Sequence, residues 1–484
     1  MTNNGVRKRR NGGLASPNRI AGKNHSSTVL LKTVRNVAIV GTVGLFFVVV
    51  SLSYNNTLPW RMSHATNVLD RLAVRLGLQE QVYAVVIDAG STGTRVLAFA
   101  FHHSLLDGSL KLDAELFKEV KPGLSSYAKE PEASTASLRE LLSAALQFVP
   151  AEAVSRTPLV LRATAGLRLL PDHRADALLE TARAEAERSG FLTRPDAVRI
   201  MSGTDEGLFS WFTVNFLLDR LGGEPGRSVA VFDLGGGSTQ VTFAPTEAAT
   251  MHAAPPGSIV EVSAMKAQAG VYSQSRRSND RVVYARSYLG IGLMAARHTI
   301  LTAGLDGQNS SVVSECVNPV VTTKWSYGGK TYNISGVSTS KNYKFIKGKG
   351  GLIDKTEPIV DFVKCYGLAE RFLSGRLHAP DELRSREVYA ISYYFDRATE
   401  AGLVDPFDGG AVTVEQLMRA ARQACETPNV EQPLACLDLT YIAALLHAGL
   451  QLPGEHLLRL HKKIDDHETS WALGAAFHTL TNHA

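Results

Sequence analysis

The chain has 484 residues, too many for one ordinary hydrophobic core, so two domains with appendages are expected. Hydrophobic residues at 44% and charged residues at 20% are globular proportions. The net charge of +5 is concentrated in the leader, where Arg7, Lys8, Arg9, Arg10, Arg19, Lys23, Lys32 and Arg35 stand without an acid; subtracting those eight leaves −3, and a mildly acidic body argues against nucleic acid as the main partner.

In chain order, residues 1–35 read as a basic cytoplasmic tail, 36–54 as a transmembrane signal anchor and 55–80 as a stalk. The stretch "NVAIVGTVGLFFVVVSLSY" has no charged residue from Val37 to Leu52, and with Asn36, Ser53 and Tyr54 at the interfaces it approaches the roughly 20 residues of a span. A cleaved signal peptide is the rival reading, but the basic leader is long for an n-region and no A-x-A site follows. Positive residues stay cytoplasmic, so the body is expected in a lumen or outside the cell.

From residue 81 the pattern is α/β. "YAVVIDAGSTGTRVLAFAF" interrupts two apolar runs with a carboxylate, glycines and hydroxyls, more than a plain hairpin needs. His102 and His103 fall in an expected loop after it. "STASLRELLSAALQFV" is helical up to Pro150, "PLVLRATAG" is a buried strand entering a loop, and "DHRADALLETARAEAERSG" is a helix from an Asp172 N-cap to Gly190. "GTDEGLFSWFTVNFLLDRLGG" is a further helix, and residues 305–350 look like surface hairpins or loops. Cys316, Cys365, Cys425 and Cys436 show no CxxC spacing; in an oxidising lumen they form two disulfides, with three connectivities possible and the sequential one closing the shortest loops. Sequons at Asn309 and Asn333 fit glycosylation on the same side, whereas that at Asn24 is expected to be cytoplasmic and unused.

An internal echo organises the body. "AVVIDAGSTGTRVLAF" set beside "VAVFDLGGGSTQVTF" matches Asp88 with Asp233 and Gly90 with Gly235, which suggests duplicated halves facing one another. Glycine-rich turns let backbone N–H groups converge on an anion, hydroxyls add donors, and the two aspartates stand where a hydrated Mg²⁺ or Ca²⁺ would sit. A pair of Gly-rich hairpins with Asp as turn former is the plain alternative. Arg168 in "ATAGLR" is within reach of a terminal phosphate, or is a surface arginine at a helix start. Glu206 opens a helix, where an acid is favoured whatever its role, but hydrolysis also needs a base for water. Tyr393 and Tyr394 could stack on a base or pack in the core.

The motifs "DAGSTGTR", "ATAGLR", "GTDEG…W", "DLGGGSTQ" and "SWALGAAF" resemble, in order, the five conserved regions of the nucleoside triphosphate diphosphohydrolases, the apyrase family, over roughly residues 80–484. Within it the chain looks like the secretory-pathway nucleoside diphosphatases; the surface ATP-degrading apyrases usually have two membrane helices and many more cysteines. The resemblance implies a duplicated actin-like, RNase H-type fold, with 81–202 and 450–484 as one lobe and 203–449 as the other. It implies Glu206 as general base with Ser238 and Gln240 positioning the water. It also implies Ca²⁺ or Mg²⁺ held by Asp88 and Asp233 largely through water, and phosphate cradled by Ser91, Thr92, Gly93, Thr94, Gly236 and Gly237 with Arg168 nearby. Trp211 and Trp471 lie in the third and fifth motifs. The implied function is luminal hydrolysis of UDP and GDP, with triphosphates cleaved less well, by a Golgi or ER protein that could also be released. An exopolyphosphatase-like phosphatase shares the fold and a similar turn pattern but lacks the "ATAGLR" and "GTDEG" combination. A non-hydrolysing nucleotide receptor would have lost the base, and Glu206 is present.

Overall fold

The computed structural model describes residues 41, 73–74, 79–104, 108–221, 225–262, 282–306, 309–337, 343–347 and 353–481. The basic tail, nearly all of the expected signal anchor and stalk, and Asn24 lie outside these residues; no helix among the described residues is long and apolar enough to cross a membrane. The chain divides into two units, Met1–Ala73 and Val74–Ala484, and the elements that follow belong to the second.

Two mixed sheets repeat one plan. In the first, β1 (Val82–Ala89), β2 (Thr94–His103) and β3 (Leu110–Val120) form an antiparallel meander, and β4 (Leu159–Ala163) and β5 (Val198–Ile200) join parallel on the β1 side. In the second, β6 (Ala230–Leu234) and β7 (Ser238–Phe243) pair antiparallel, with β8 (Ile259–Glu261) and β9 (Val282–Leu289) beyond. Inserted before its parallel half are a small sheet of β10 (Ser311–Ser314), β11 (Thr322–Tyr327) and β12 (Lys330–Gly336), and a hairpin of β13 (Tyr343–Lys347) and β14 (Ile353–Pro358). β15 (Val388–Ser392) then pairs parallel with β6, followed outward by β17 (Leu457–Leu460) and the edge strand β16 (Gly410–Thr413). The orders β3-β2-β1-β4-β5 and β9-β7-β6-β15-β17 correspond strand for strand, so the sequence echo is a structural duplication.

Strand alternation explains the layering. Val85, Ile87 and Ala89 of β1 face a core with the helices Thr135–Phe148 and Asp172–Arg188, while Ala84 and Val86 face a central core. On β6, Val231 faces that same central core, and Ala230, Phe232 and Leu234 face a third. The helices Gly203–Leu217 and Ala472–Thr481 contribute to the central core, where Phe477 meets Phe101, Phe212 and Phe216 at centroid distances of 5.1, 5.3 and 4.6 Å. Each such aromatic contributes about 1.5–3 kcal/mol by leaving water.

Local expectations hold with small revisions. Asp172 is the first residue of its helix rather than the cap, which is Pro171. His102 and His103 end β2 instead of lying in a loop, and buried His102 places Nδ1 2.7 Å from Asp113. Asn309 and Asn333 are exposed on the inserted region. The disulfides are sequential, Cys316–Cys365 and Cys425–Cys436, with sequence separations of 49 and 11. Loop-closure entropy then predicts a cost of about 4 kcal/mol on removing the first bridge and about 3 kcal/mol for the second. Urea unfolding of the two double Cys→Ala variants measures this, and equal or reversed midpoint losses would contradict the ordering.

Candidate active site

Alternation also aims the two aspartates. Asp88 shares its β1 face with Ala84 and Val86, and Asp233 shares its β6 face with Val231, so both carboxylates leave their strands toward the space between the sheets. The turn after each strand does the same. A Cβ on Gly236 would sit 2.2 Å from Ser91 Oγ, so the second turn lies close against the first and a side chain there would displace the Ser91 hydroxyl. Backbone N–H groups of Leu293 and Met294 bond the carbonyls of Gly235 and Gly236 at 2.9 and 3.0 Å, fixing the second turn on the helix Leu293–Leu301. Between the turns lies a cleft of about 530 Å³, lined by Ser91, Thr92 and Gly236 with the carboxylates of Asp88, Glu206 and Asp233. That volume suits a nucleotide-sized ligand.

Glu206 stands in the first turn of the helix Gly203–Leu217, whose N-cap Ser202 accepts from the Asp205 N–H at 3.0 Å. Its Oε2 accepts from Arg168 Nη2 at 2.6 Å and from Gln240 Nε2 at 3.0 Å. Ser238 Oγ lies 3.1 Å from the same Arg168 nitrogen and 2.8 Å from Gln240 Nε2, which closes a four-residue network. Burial pushes Glu206 up to about 8, with Arg168 opposing and the charges of Asp233 and Asp88 adding to the rise. Asp88 is pushed up to about 6 by burial against the pull of Arg95, and Asp233 is raised by burial against hydrogen bonds from Ser392 and Ser210.

The three carboxyls are short of positive charge, and Asp88 Oδ1 is buried without a hydrogen-bond partner among the described residues. Oxygen donors around such a deficit fit a hard divalent cation. Among the described residues no group of three His, Cys, Asp or Glu side chains could hold a metal directly, so the fit is to an ion that keeps water.

The expected residues distribute unevenly. Ser91, Thr92, Gly236, Gly237 and Ser238 line the cleft, as does Tyr393. Gly93 instead abuts the Glu119 carboxylate, and Thr94 is buried at the start of β2. Arg168 is on Glu206 and Ser238 and is not among the lining residues. Tyr394 is 1% exposed and packs in the core, so it offers no face to a ligand. Trp211 is a core residue whose Nε1–H donates to the Val229 carbonyl at 3.1 Å, whereas Trp471 lines the cleft. The residues that sequence reasoning passed over are Arg95, 3.2 Å from Asp88 and 2.8 Å from Glu119, and Ser210 and Ser392, which bond Asp233. Arg95 closes the first motif and was visible there; the serines carry no motif signal.

A model of the GDA1/CD39 (nucleoside phosphatase) family matches residues 75–483. The chain is similar to ectonucleoside triphosphate diphosphohydrolase 6 of Rattus norvegicus, at 40% identity over 82% of this chain and 82% of that protein. It is similar also to the nucleoside diphosphate phosphatase ENTPD5 of Homo sapiens, at 37% identity over 82% of this chain and 87% of that one. A nucleoside triphosphate hydrolase structure from Neospora caninum superposes with a TM-score of 0.55 at 16% identity, covering 87% of this chain and 97% of that one, which supports the two-domain actin-like fold.

The raised Glu206 has a stability signature. Its folded pKa of about 8 lies above the ordinary 4.5, so the folded state binds the extra proton, and the stabilisation is complete below 4.5 and lost as pH rises to about 8. In metal-free protein, Glu206→Gln should therefore gain stability relative to wild type as pH climbs through that window. Paired urea midpoints at several pH values measure the gap, and a constant gap would contradict the shift.

Proposed function

The chain belongs to the GDA1/CD39 (nucleoside phosphatase) family and is a hydrolase, and from that premise we propose that it removes the terminal phosphate of nucleoside diphosphates, UDP and GDP ahead of triphosphates. The observation that carries the reading is the Glu206 network at a cleft that both Gly-rich turns line. Ser91, Thr92, Gly236 and Gly237 bind the phosphates through hydroxyls and backbone N–H groups. Glu206 accepts the proton of the attacking water, and Gln240, with its amide anchored on Glu206 and Ser238, orients that water. Arg168 fixes the Glu206 carboxylate and favours its charged form. Asp88 and Asp233 would hold the divalent cation, Ca²⁺ or Mg²⁺. Such an ion, when bound, neutralises charge on the phosphate oxygens. No side chain is positioned as a covalent nucleophile in this reading, so water attacks directly.

The leaning to diphosphates comes from the sequence branch and from one relative's name, nucleoside diphosphate phosphatase. The luminal setting, a type II protein of the Golgi or ER, rests on the basic leader, the apolar 36–54 segment and the two disulfides.

Glu206→Gln should lower kcat by roughly 10²–10⁴-fold while nucleotide still binds. Steady-state kinetics beside nucleotide titration checks this, and near-normal turnover would remove Glu206 from the mechanism. Across a nucleotide panel, UDP and GDP should show higher kcat/KM than ATP, and AMP should be inert. A tenfold advantage for ATP, about 1.4 kcal/mol in transition-state stabilisation, would overturn the diphosphate assignment and leave the family assignment standing.

A further inference from the structure

Behind the second turn, a strand runs into a helix through a residue whose backbone conformation is costly for it. Ser392 ends β15 beside Leu234 of β6 and precedes the helix Tyr393–Glu400 with φ +61° and ψ −126°. Glycine enters this region freely and residues with a Cβ rarely do. Among the described residues, Asp219, Gln451, Asp465 and Asp466 are the other non-glycine residues at positive φ, and of the five only Ser392 lines the cleft. Its hydroxyl stands beside the Asp233 carboxylate and eases its ionisation, and Asp233 Oδ2 accepts from Ser210 Oγ at 3.1 Å. The Asp233 backbone is fixed on both sides, opposite Ile391 of β15 and Gln240 of β7. Those ladders leave the side-chain torsions free, so restraint on them falls to neighbouring groups such as the Ser210 hydroxyl.

We infer that Ser392 is a positioning residue for the cation site: its hydroxyl, delivered by the strained junction, sets the face that Asp233 presents to a hydrated divalent cation. The inference rests on the cation reading given above. Glycine at 392 would relieve the strain, at the cost only of added freedom in the unfolded chain, so a serine there points to work done by the hydroxyl. Alanine keeps the strain and loses the hydroxyl, whereas glycine loses both, which separates backbone from side chain.

Isothermal titration of Mn²⁺ into the full-length protein, Ser392→Ala, Ser392→Gly and Asp233→Asn tests the idea, alongside rates measured against cation concentration. Both Ser392 variants should bind Mn²⁺ about 10–100-fold more weakly, the usual effect of losing a group that orients a metal ligand. The cation concentration for half-maximal rate should shift by more than kcat falls, and Ser392→Gly should melt above Ser392→Ala. Wild-type Mn²⁺ affinity in either Ser392 variant overturns the positioning role, as does a loss of kcat at unchanged affinity. Wild-type affinity in Asp233→Asn, or no Mn²⁺ binding by the wild type, overturns the cation reading itself. Loss of binding in Asp233→Asn with retention in Ser392→Ala sinks the positioning role alone.

Discussion

Three carboxyls, Glu206, Asp88 and Asp233, line one cleft, and burial raises the cost of charging each of them. The cations within the protein cover this only partly: Arg168 is bonded to Glu206, and Arg95 divides itself between Asp88 and Glu119. A cleft with that balance repels a phosphate anion unless positive charge intervenes. The turns, the two aspartates and Glu206 therefore form one electrostatic unit, in which Gly-rich backbone shares the cleft with carboxyls short of positive charge. The same low dielectric that makes the unliganded site costly strengthens each interaction once the charges are matched.

The duplicated sheets create this geometry. Because the aspartate of each copy lies on the face turned to the central core, two equivalent strands deliver two carboxylates to one space without any long-range device. Glu206 lies outside the two echoed turns. It comes from a helix that contacts β7 through Gly207, where a Cβ would stand 2.6 Å from Thr242 Oγ1, and this close approach sets the carboxylate against Gln240.

Much of this was legible in the sequence. The echo of Asp88 and Asp233 with their glycine turns gave the duplication, and the apolar alternation around them gave strands. The limits were physical. Alternation says that Asp88 and Val86 share a face, but not which face meets the other half of the chain. Tyr393 and Tyr394 are adjacent and chemically alike, yet helical rotation puts one on the cleft and the other in the core. Arg168 was expected to reach a terminal phosphate or to lie on the surface at a helix start, and the structure puts it on Glu206. Ser210 and Ser392 touch Asp233 from distant segments, and a lone serine carries no local pattern that could announce this.

The "SWALGAAF" motif takes on a second meaning from the packing of its helix. Gly474 lets the helix Ala472–Thr481 cross the Glu206 helix, with a Cβ there only 2.6 Å from the Phe209 carbonyl, and Phe477 fills the space beside Phe101 of β2. The first sheet thus borrows part of its inner core from the chain's far end. During synthesis, at ~5–20 residues/s, β1 to β5 emerge on the order of tens of seconds before that helix does. Through that interval the inner face of the first sheet is uncovered apolar surface. Until the helix Ala472–Thr481 arrives that face is open to self-association, and the motif works as the latch that ends the exposure.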